Sequence, residues 1–263
     1  MRKLIGFLPT AAYMAIILFM PFQAVIFQFD GDILIVMGQA FALFAISVLA
    51  MQVFLTARLR FLDRLYGMDR LIRFHRKMGV VAMFVGLAHP LLIAAGYKSP
   101  ELLLSFDVGL PVLMGKVTLL LLILVVLFAL LFRKFRVDYV LWRRLHKGAI
   151  LIVLLGAMHG LAIGDNLSSG VLRIFAITLI GIALLLFLWR NLVKPFSRKH
   201  YRIVSNQRET HDTWTIRMKP EGKPIERIPG QFAFITMLGK PKEEHPFTIA
   251  DVTPDNDLVF TIK

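Results

Sequence analysis

The chain contains no cysteine. This absence excludes disulfide bonds, zinc sites built on thiolates, iron–sulfur clusters and a catalytic thiol. Acidic residues are also scarce, with 17 of them against 31 lysines and arginines, and none falls within the apolar stretches 74–97 and 145–163. Any metal chemistry inside those two stretches therefore depends on the histidines that they contain.

The chain is too apolar for an ordinary soluble domain. Hydrophobic residues make up 57% of its 263 positions, which is typical of a membrane protein that crosses the bilayer several times. The apolar run after Met1-Arg2-Lys3 continues to Phe29, so we interpret it as a first span rather than a cleaved signal. Stretches of about 20 apolar residues are long enough to cross a bilayer. The predicted spans are 4–28, 33–56, 74–97, 111–132, 145–163 and 171–190.

The loops between these spans alternate in charge. Lysines and arginines concentrate in 58–77, 133–147 and 190–199, whereas the other loops carry Asp30, Asp32, Glu101, Asp107 and Asp165. The positive-inside rule then predicts a multi-pass protein of the plasma (inner) membrane with both termini in the cytoplasm. This distribution also argues against nucleic acid as a partner, because nucleic-acid binding needs basic residues on a soluble face.

The composition changes near Lys194-Pro195. From residue 201 onward, short alternating apolar runs are separated by turn signals such as Glu221-Gly222 and Pro254-Asp255-Asn256, a pattern typical of antiparallel strands. We therefore predict a mostly α membrane protein. A six-helix transmembrane bundle would occupy 1–194, and a partial cytoplasmic β-barrel-type domain, apparently truncated, would occupy 195–263.

Four histidines form two matched pairs. His75 and His89 lie in the third span, and His146 and His159 lie in the fifth. The separations correspond to rises of about 21 Å and about 20 Å along an α-helix. Each helix thus offers one histidine at each of two matching depths. An imidazole within a bilayer is costly unless it is partnered or bound, so the pattern indicates two stacked bis-histidine metal sites.

Haem suits such sites better than zinc or copper, which usually require compact ligand clusters with carboxylates or thiolates. Two imidazoles on opposite faces of a porphyrin need no other protein ligand, and without cysteine the attachment would be non-covalent. Glycines one turn from the histidines would make room for the macrocycle, and Phe84 is the nearest aromatic between the two levels. The glycine candidates are Gly79, Gly86 and Gly156, and the basic candidates for pairing with haem propionates are Arg73, Arg76, Arg144 and Lys147.

The sequence leaves open how the fifth span presents both histidines to one side, and whether these histidines bind metal. In a straight helix, 14 residues return to within about 40° of the starting face, but 13 residues end about 140° away. The fifth span would need a distortion, or the cofactors would lie at different azimuths. The alternative to metal binding is that these are buried histidines with hydrogen bonds between helices, that the glycines allow close helix packing, and that the basic neighbours are topology signals.

The histidine spacing resembles that of the ferric reductase and NADPH oxidase family, which has six transmembrane helices and histidine pairs on helices three and five. The pairs enclose 13 and 12 intervening residues, as they do here. The resemblance implies that His75 and His146 ligate an inner haem b, and that His89 and His159 ligate an outer haem b.

The same family carries a flavin domain related to ferredoxin-NADP reductase. The motif His245-Pro246-Phe247-Thr248, preceded by Pro229-Gly230-Gln231-Phe232, resembles its signature and implies that these four residues line an FAD. Alternatively, the motif is the start of an ordinary strand with Phe247 in a core. No G-x-G-x-x-G follows a strand, so the NAD(P)H site would belong to a separate reductase domain or chain.

The resemblance implies an NADPH oxidase or ferric-chelate reductase-like enzyme in the lipid bilayer. Electrons would pass from cytoplasmic NAD(P)H through FAD and two haems to an outer acceptor, either O2 or a ferric chelate. Arg173, at the outer start of the sixth span, would attract that acceptor or a propionate, or it would snorkel to lipid headgroups. The alternatives are a haem subunit that carries electrons from quinone to a partner reductase, and a transporter or channel with histidine relays.

Overall fold

A computed structural model describes residues 2–28, 31–132, 134–168, 170–225, 230–237 and 244–263. The chain divides into two compact units, Met1–Asn191 and Leu192–Lys263. The first unit is helical and the second is an antiparallel sheet. The predicted class, a mostly helical membrane protein with a C-terminal sheet, is therefore confirmed. The functional names given to the two parts stay predictions.

Nine α-helices occur in the described part of the first unit. They are α1 (Arg2–Phe27), α2 (Ile33–Thr56), α3 (Arg60–Tyr66), α4 (Met68–Gly96), α5 (Glu101–Leu104), α6 (Leu110–Leu131), α7 (Tyr139–Lys147), α8 (Ile150–Ile163) and α9 (Gly170–Leu188). A 3₁₀ turn, Asp165–Leu167, joins α8 to α9, and α9 continues into a π-helical turn, Trp189–Val193.

Six helical segments are long and apolar enough to cross a membrane. They are Leu8–Phe27, Ile33–Thr56, Met68–Gly96, Leu110–Leu131, Tyr139–Ile163 and Gly170–Ser197. The six predicted spans are confirmed, although the third and fifth begin six residues earlier than the apolar pattern indicated. The added turns contain four arginines, residues that favour helix and whose long side chains reach the interface.

The helix starts follow from local chemistry. Asp32 caps α2 by accepting hydrogen bonds from the backbone N–H groups of Leu34 and Ile35, at 2.9 and 3.3 Å. Asp138 caps α7 in the same way, through the N–H of Leu141 at 2.9 Å. Proline in the first turn of α6 removes an N–H that would have no partner there.

Helix α2 is the centre of the bundle, because it contacts α1, α4, α8 and α9. Small side chains such as Ala40, Ala45 and Ala50 are buried on it and allow neighbouring helices to approach closely. Two polar side chains, Ser47 and Gln52, are buried on the same helix. Ser47 is satisfied by its own helix, since its hydroxyl donates to the Leu43 carbonyl at 2.7 Å.

The fifth span is not a continuous α-helix, because a turn at Gly148 and Ala149 separates α7 from α8. Four backbone bonds here join residues three apart rather than four: Gly148 N to Leu145 O, Ala149 N to His146 O, Leu151 N to Gly148 O and Ile152 N to Ala149 O. This is 3₁₀ geometry, which winds more tightly than an α-helix.

The second unit contains a five-stranded antiparallel sheet with strand order β1-β2-β5-β4-β3. Its strands are β1 (Tyr201–Arg208), β2 (Trp214–Pro220), β3 (Phe232–Ile235), β4 (His245–Val252) and β5 (Leu258–Ile262). Ile249, Leu258 and Phe260 form its buried core. The predicted partial barrel is an antiparallel sheet that does not close in the described residues, because closure requires the two edge strands to pair, and here β1 and β3 are open edges.

Candidate functional site

The four predicted histidines meet in two pairs. The ring centres of His75 and His146 are 6.0 Å apart with an interplanar angle of 80°, and those of His89 and His159 are 6.3 Å apart at 68°. Each pair joins α4 to the fifth span, one pair through α7 and the other through α8. The structure therefore brings together the same partners that the matched depths predicted.

The turn at Gly148 and Ala149 explains how the fifth span presents both of its histidines to α4. Residues in 3₁₀ geometry advance by about 120° each instead of about 100°. About five such residues add about 100° of rotation, which brings His159 to within about 40° of His146. The same offset separates His75 and His89 on α4. Of the two possibilities left open above, helix distortion is the one observed.

The second pair, His89 and His159, is oriented by backbone carbonyls. Nδ1 of His89 lies 2.9 Å from the carbonyl oxygen of Gly38 on α2, and Nδ1 of His159 lies 2.7 Å from that of Pro111 on α6. A carbonyl oxygen only accepts, so in the neutral rings Nδ1 carries the proton and donates it. Nε2 of each ring is then left with its lone pair, which is the arrangement that metal-ligating histidines usually have.

The His159 ring has room because position 115 on α6 is glycine. A Cβ at Gly115 would stand 2.6 Å from Cε1 and 2.7 Å from Nδ1 of His159, closer than real side chains approach. Pro111 and Gly115 thus lie on one surface of α6. The Pro111 carbonyl binds the imidazole, and the absence of a side chain at Gly115 leaves space for it. Sequence reasoning missed both, although a glycine four residues after a helix-starting proline was a visible signal.

The first pair, His75 and His146, is surrounded by side chains rather than by backbone carbonyls. Trp142, one turn before His146 on α7, stacks on its ring with centres 5.2 Å apart and an angle of 15°. The indole also stacks on Phe132 at 4.7 Å and on Tyr139 at 5.5 Å. The terminal amide of Gln52, from α2, lies against the His75 ring.

Two buried hydrogen-bond donors next to this first pair have no acceptor among the described residues, the Trp142 indole N–H and the Tyr13 hydroxyl. Tyr13 packs edge-on against Phe74, the neighbour of His75, with ring centres 5.2 Å apart. A buried donor without a partner is costly, and more so inside a membrane. The surroundings of the first pair therefore fit a ligand that carries hydrogen-bond acceptors.

The donor set fits haem better than a bare metal ion. Two metal–nitrogen bonds of about 2.0 Å each, together with about 1.1 Å from each nitrogen to its ring centre, place two coaxial imidazole centres about 6 Å apart. The observed separations of 6.0 and 6.3 Å match this value. No three metal-ligating side chains cluster anywhere in the part of the chain that the structure describes. The remaining ligands of a metal held here would have to come from a group such as a porphyrin.

The three candidate glycines differ in their surroundings. A Cβ at Gly86 would meet Leu122 at 3.5 Å, and a Cβ at Gly156 would meet Ile46 and Thr118, both at 3.3 Å. These two glycines lie against neighbouring helices and serve helix packing. Gly79, one turn after His75, has nothing within 4 Å of its Cβ direction, so the space beside it is open.

The four basic candidates for propionate pairing, Arg73, Arg76, Arg144 and Lys147, are all exposed. They lie within three residues of His75 or His146 on α4 and α7. A further cation, Arg190 in the π-helical turn after α9, lies near both of these histidines. Sequence reasoning treated Arg190 only as a topology signal, because its approach to the histidines depends on the packing of α9.

Arg173 is engaged by backbone carbonyls. Its Nη1 donates to the carbonyl oxygens of Leu167 at 2.9 Å, Ser168 at 3.4 Å and Leu161 at 3.5 Å. These hydrogen bonds satisfy backbone carbonyl groups at the end of α8 and at the 3₁₀ turn that follows. Phe84, the aromatic candidate between the two levels, is 61% exposed and lies on the outside of its helix bundle.

The residues of the proposed flavin motif begin β4, where His245, Pro246 and Thr248 are exposed and Phe247 packs against the core of the sheet. Pairing of β3 with β4 sets Phe232 opposite Thr248. Gly230, in a left-handed turn with φ of 87°, donates its N–H to the Ile249 carbonyl at 2.9 Å. The two halves of the motif are therefore adjacent, although Pro229 lies outside the described residues.

Comparison with known protein families gives a match to the helical unit. No curated protein matches the chain significantly. A family described as "Ferric reductase like transmembrane component" matches residues 41–157, a range that includes His75, His89 and His146 and ends two residues before His159. Six helices of this multi-pass membrane protein are long and apolar enough to cross a membrane, and over residues 41–157 the helical unit is similar to the transmembrane component of ferric reductases.

Proposed function

We propose that the chain is a transmembrane oxidoreductase that conducts electrons across the bilayer between two haem b groups. The family match supports an oxidoreductase of the membrane. The observation that carries the proposal is the pair of facing imidazoles at each of two levels, with ring centres 6.0 and 6.3 Å apart. His75 and His146 would hold one haem, and His89 and His159 the other.

The residues around these histidines support ligation rather than proton relay. The carbonyls of Gly38 and Pro111 hold the protons of His89 and His159 on Nδ1, so their Nε2 atoms are available to a metal. A bound haem b supplies reversible one-electron chemistry at its iron. Two histidines would hold each haem, so the protein would use it to carry electrons rather than to bind a substrate.

The direction of transport follows from the charge of the loops. The ends of the helices near His75 and His146 carry most of the basic residues, which the positive-inside rule assigns to the cytoplasm. Both termini would then be cytoplasmic, in the plasma (inner) membrane. The His89–His159 pair would lie nearer the outer surface and deliver electrons to O2 or to a ferric chelate.

The sheet unit would supply the electrons through FAD. The adjacent positions of the two motif segments, with Phe232 opposite Thr248, and the exposure of His245 and Thr248 support a ligand-binding edge on β3 and β4. NAD(P)H would bind to a separate reductase domain or chain, so the donor side would be completed by a partner.

The test is the dithionite-reduced minus oxidised absorption spectrum of the full chain, purified in detergent from cells supplied with haem. Haem and flavin are quantified per chain in the same sample. We expect two b-type haems with low-spin bis-histidine bands. A folded preparation without haem would overturn the proposal, whereas two haems without flavin would overturn only the assignment of the sheet unit.

A further inference from the structure

Helix α2 contacts both histidines of α4 at their Nδ1 atoms. Gly38 supplies its carbonyl oxygen to His89, and Gln52 places its side-chain amide against His75. Gly38 and Gln52 are 14 residues apart on α2, the same number that separates His75 from His89 on the antiparallel α4. The two contacts are therefore in register, one for each level of the bundle.

Of these two contacts, only that of Gln52 is made by a side chain. Gln52 is 8% exposed on a mostly apolar helix, where an amide is costly unless its hydrogen bonds are satisfied. One terminal atom of the amide lies 2.5 Å from Nδ1 of His75 and 3.2 Å from the His75 carbonyl oxygen. The other terminal atom lies 3.2 Å from the Gly79 nitrogen. The amide is thus confined to one face of α4, beside the ring.

The two orientations of this amide select different tautomers of His75. When the NH₂ group faces Nδ1, it donates to the Nδ1 lone pair, and the ring proton must sit on Nε2. When Oε1 faces Nδ1, it accepts the Nδ1 proton, and Nε2 keeps its lone pair. The first orientation also satisfies the two neighbouring contacts, because the NH₂ group then donates to the His75 carbonyl oxygen and Oε1 accepts from the Gly79 N–H. Only the second orientation is compatible with an iron bound through Nε2, and it matches the arrangement that the Gly38 carbonyl imposes on His89. Binding of iron would therefore turn the amide by 180°.

We propose that Gln52 is a positioning residue for the haem held by His75 and His146, with Oε1 accepting the Nδ1 proton of His75. This inference rests on the function proposed above. An acceptor at Nδ1 increases the electron density of the imidazole, which stabilises the oxidised iron and lowers its reduction potential. Gln52 therefore sets the potential of one haem and leaves the other, at the depth of His89, unaffected.

The experiment is a potentiometric measurement of the full chain in detergent, followed through the haem absorption bands. The variants are Gln52→Leu, which removes the acceptor, and Gln52→Glu, which retains acceptor oxygens. Ser47→Ala is the matched control, because Ser47 is also a buried polar residue of α2 but bonds only to the Leu43 carbonyl. The reduction step that remains in His89→Leu identifies the haem of His75 and His146.

We expect Gln52→Leu to raise the reduction potential of that haem by about 59 mV. For a one-electron reduction this shift is a tenfold change in the equilibrium constant. Gln52→Glu should leave it unchanged or lower it, and Ser47→Ala should have no effect. Equal potentials in Gln52→Leu and Ser47→Ala, or a rise in both Gln52 variants, would overturn the role of Gln52. A wild-type chain without two reduction steps would instead overturn the proposed function.

Discussion

The imidazole of His159 rests directly on the backbone of Gly115, where a Cβ would stand 2.6 Å from Cε1 of the ring. No flexible side-chain end is available to move aside, because both Nδ1 and Nε2 are also within 3.0 Å of that Cβ position. The ring is further held by its hydrogen bond to Pro111. The position of this ligand therefore depends on the absence of one methyl group on the neighbouring helix.

Gly115→Ala is expected to displace the His159 ring and to remove the haem at the level of His89 while leaving the other in place. Haem per chain, measured by the pyridine haemochrome method, should fall from two toward one. Gly181→Ala on α9 is the matched control, because nothing lies within 4 Å of its Cβ position. Two haems with unchanged bands in Gly115→Ala would contradict the expected steric conflict.

His159→Leu and His146→Leu are expected to remove different haems. Each variant leaves one pair intact, because the two pairs share no residue. Redox difference spectra should show one remaining haem in each case, and His159→Leu should also abolish reduction of an external acceptor. His211→Leu in the sheet unit is the control, since this side chain is 86% exposed. Retention of two haems by either bundle variant would refute the pairing.

Trp142→Phe separates the two roles of the indole, because it keeps a ring for stacking but removes the N–H. We expect haem to leave the His75–His146 level about 10- to 150-fold faster, since a hydrogen bond to a charged group contributes about 1.5–3 kcal/mol. The measurement is the rate of haem transfer to an excess of a haem-scavenging protein. Phe132→Leu trims the same stack but retains the N–H, so it should release haem more slowly than Trp142→Phe. Equal release rates would show that the N–H serves no bound acceptor.

Arg217→Met is expected to destabilise the sheet unit by about 3–5 kcal/mol, because it leaves a buried carboxylate unpaired. Asp257 is 2% exposed, and its Oδ2 lies 2.7 Å from Nε of Arg217. Arg202→Met is the control, because the Arg202–Glu221 pair is exposed and such pairs contribute about 0–1 kcal/mol. Urea-dependent proteolysis of the full chain measures the stability of the sheet unit in both variants. Similar losses of stability would contradict the difference expected between a buried and an exposed ion pair.

The helices and the histidine pairs were readable from the sequence because both are properties of single segments. Hydropathy along the chain locates a span, and the rise per residue locates depth within it. The angular position of His159 around the fifth span could not be predicted from the sequence, because it depends on four backbone hydrogen bonds around Gly148 and Ala149. Similarly, Gln52 and Gly115 are ordinary residues of their own helices. Their relation to the histidines arises only from the register between helices.

The sheet illustrates the opposite case. Alternating apolar residues predicted strands at β2, β3 and β5, and the structure has strands there. The same pattern does not specify which edges pair, because an open sheet and a barrel have the same alternation along each strand. The alternation therefore fitted a partial barrel as well as it fits the open sheet that the described residues form.

The register between α2 and α4 links the assembly of the two levels. Gly38 and Gln52 belong to one rigid rod, so a sliding of α2 by a single turn would separate His89 and His75 from their partners at the same moment. Neither level can be built correctly while the other is misaligned. Under the proposed function, a haem bound at either level would therefore fix the helix register that the other level requires, and the two sites would load cooperatively.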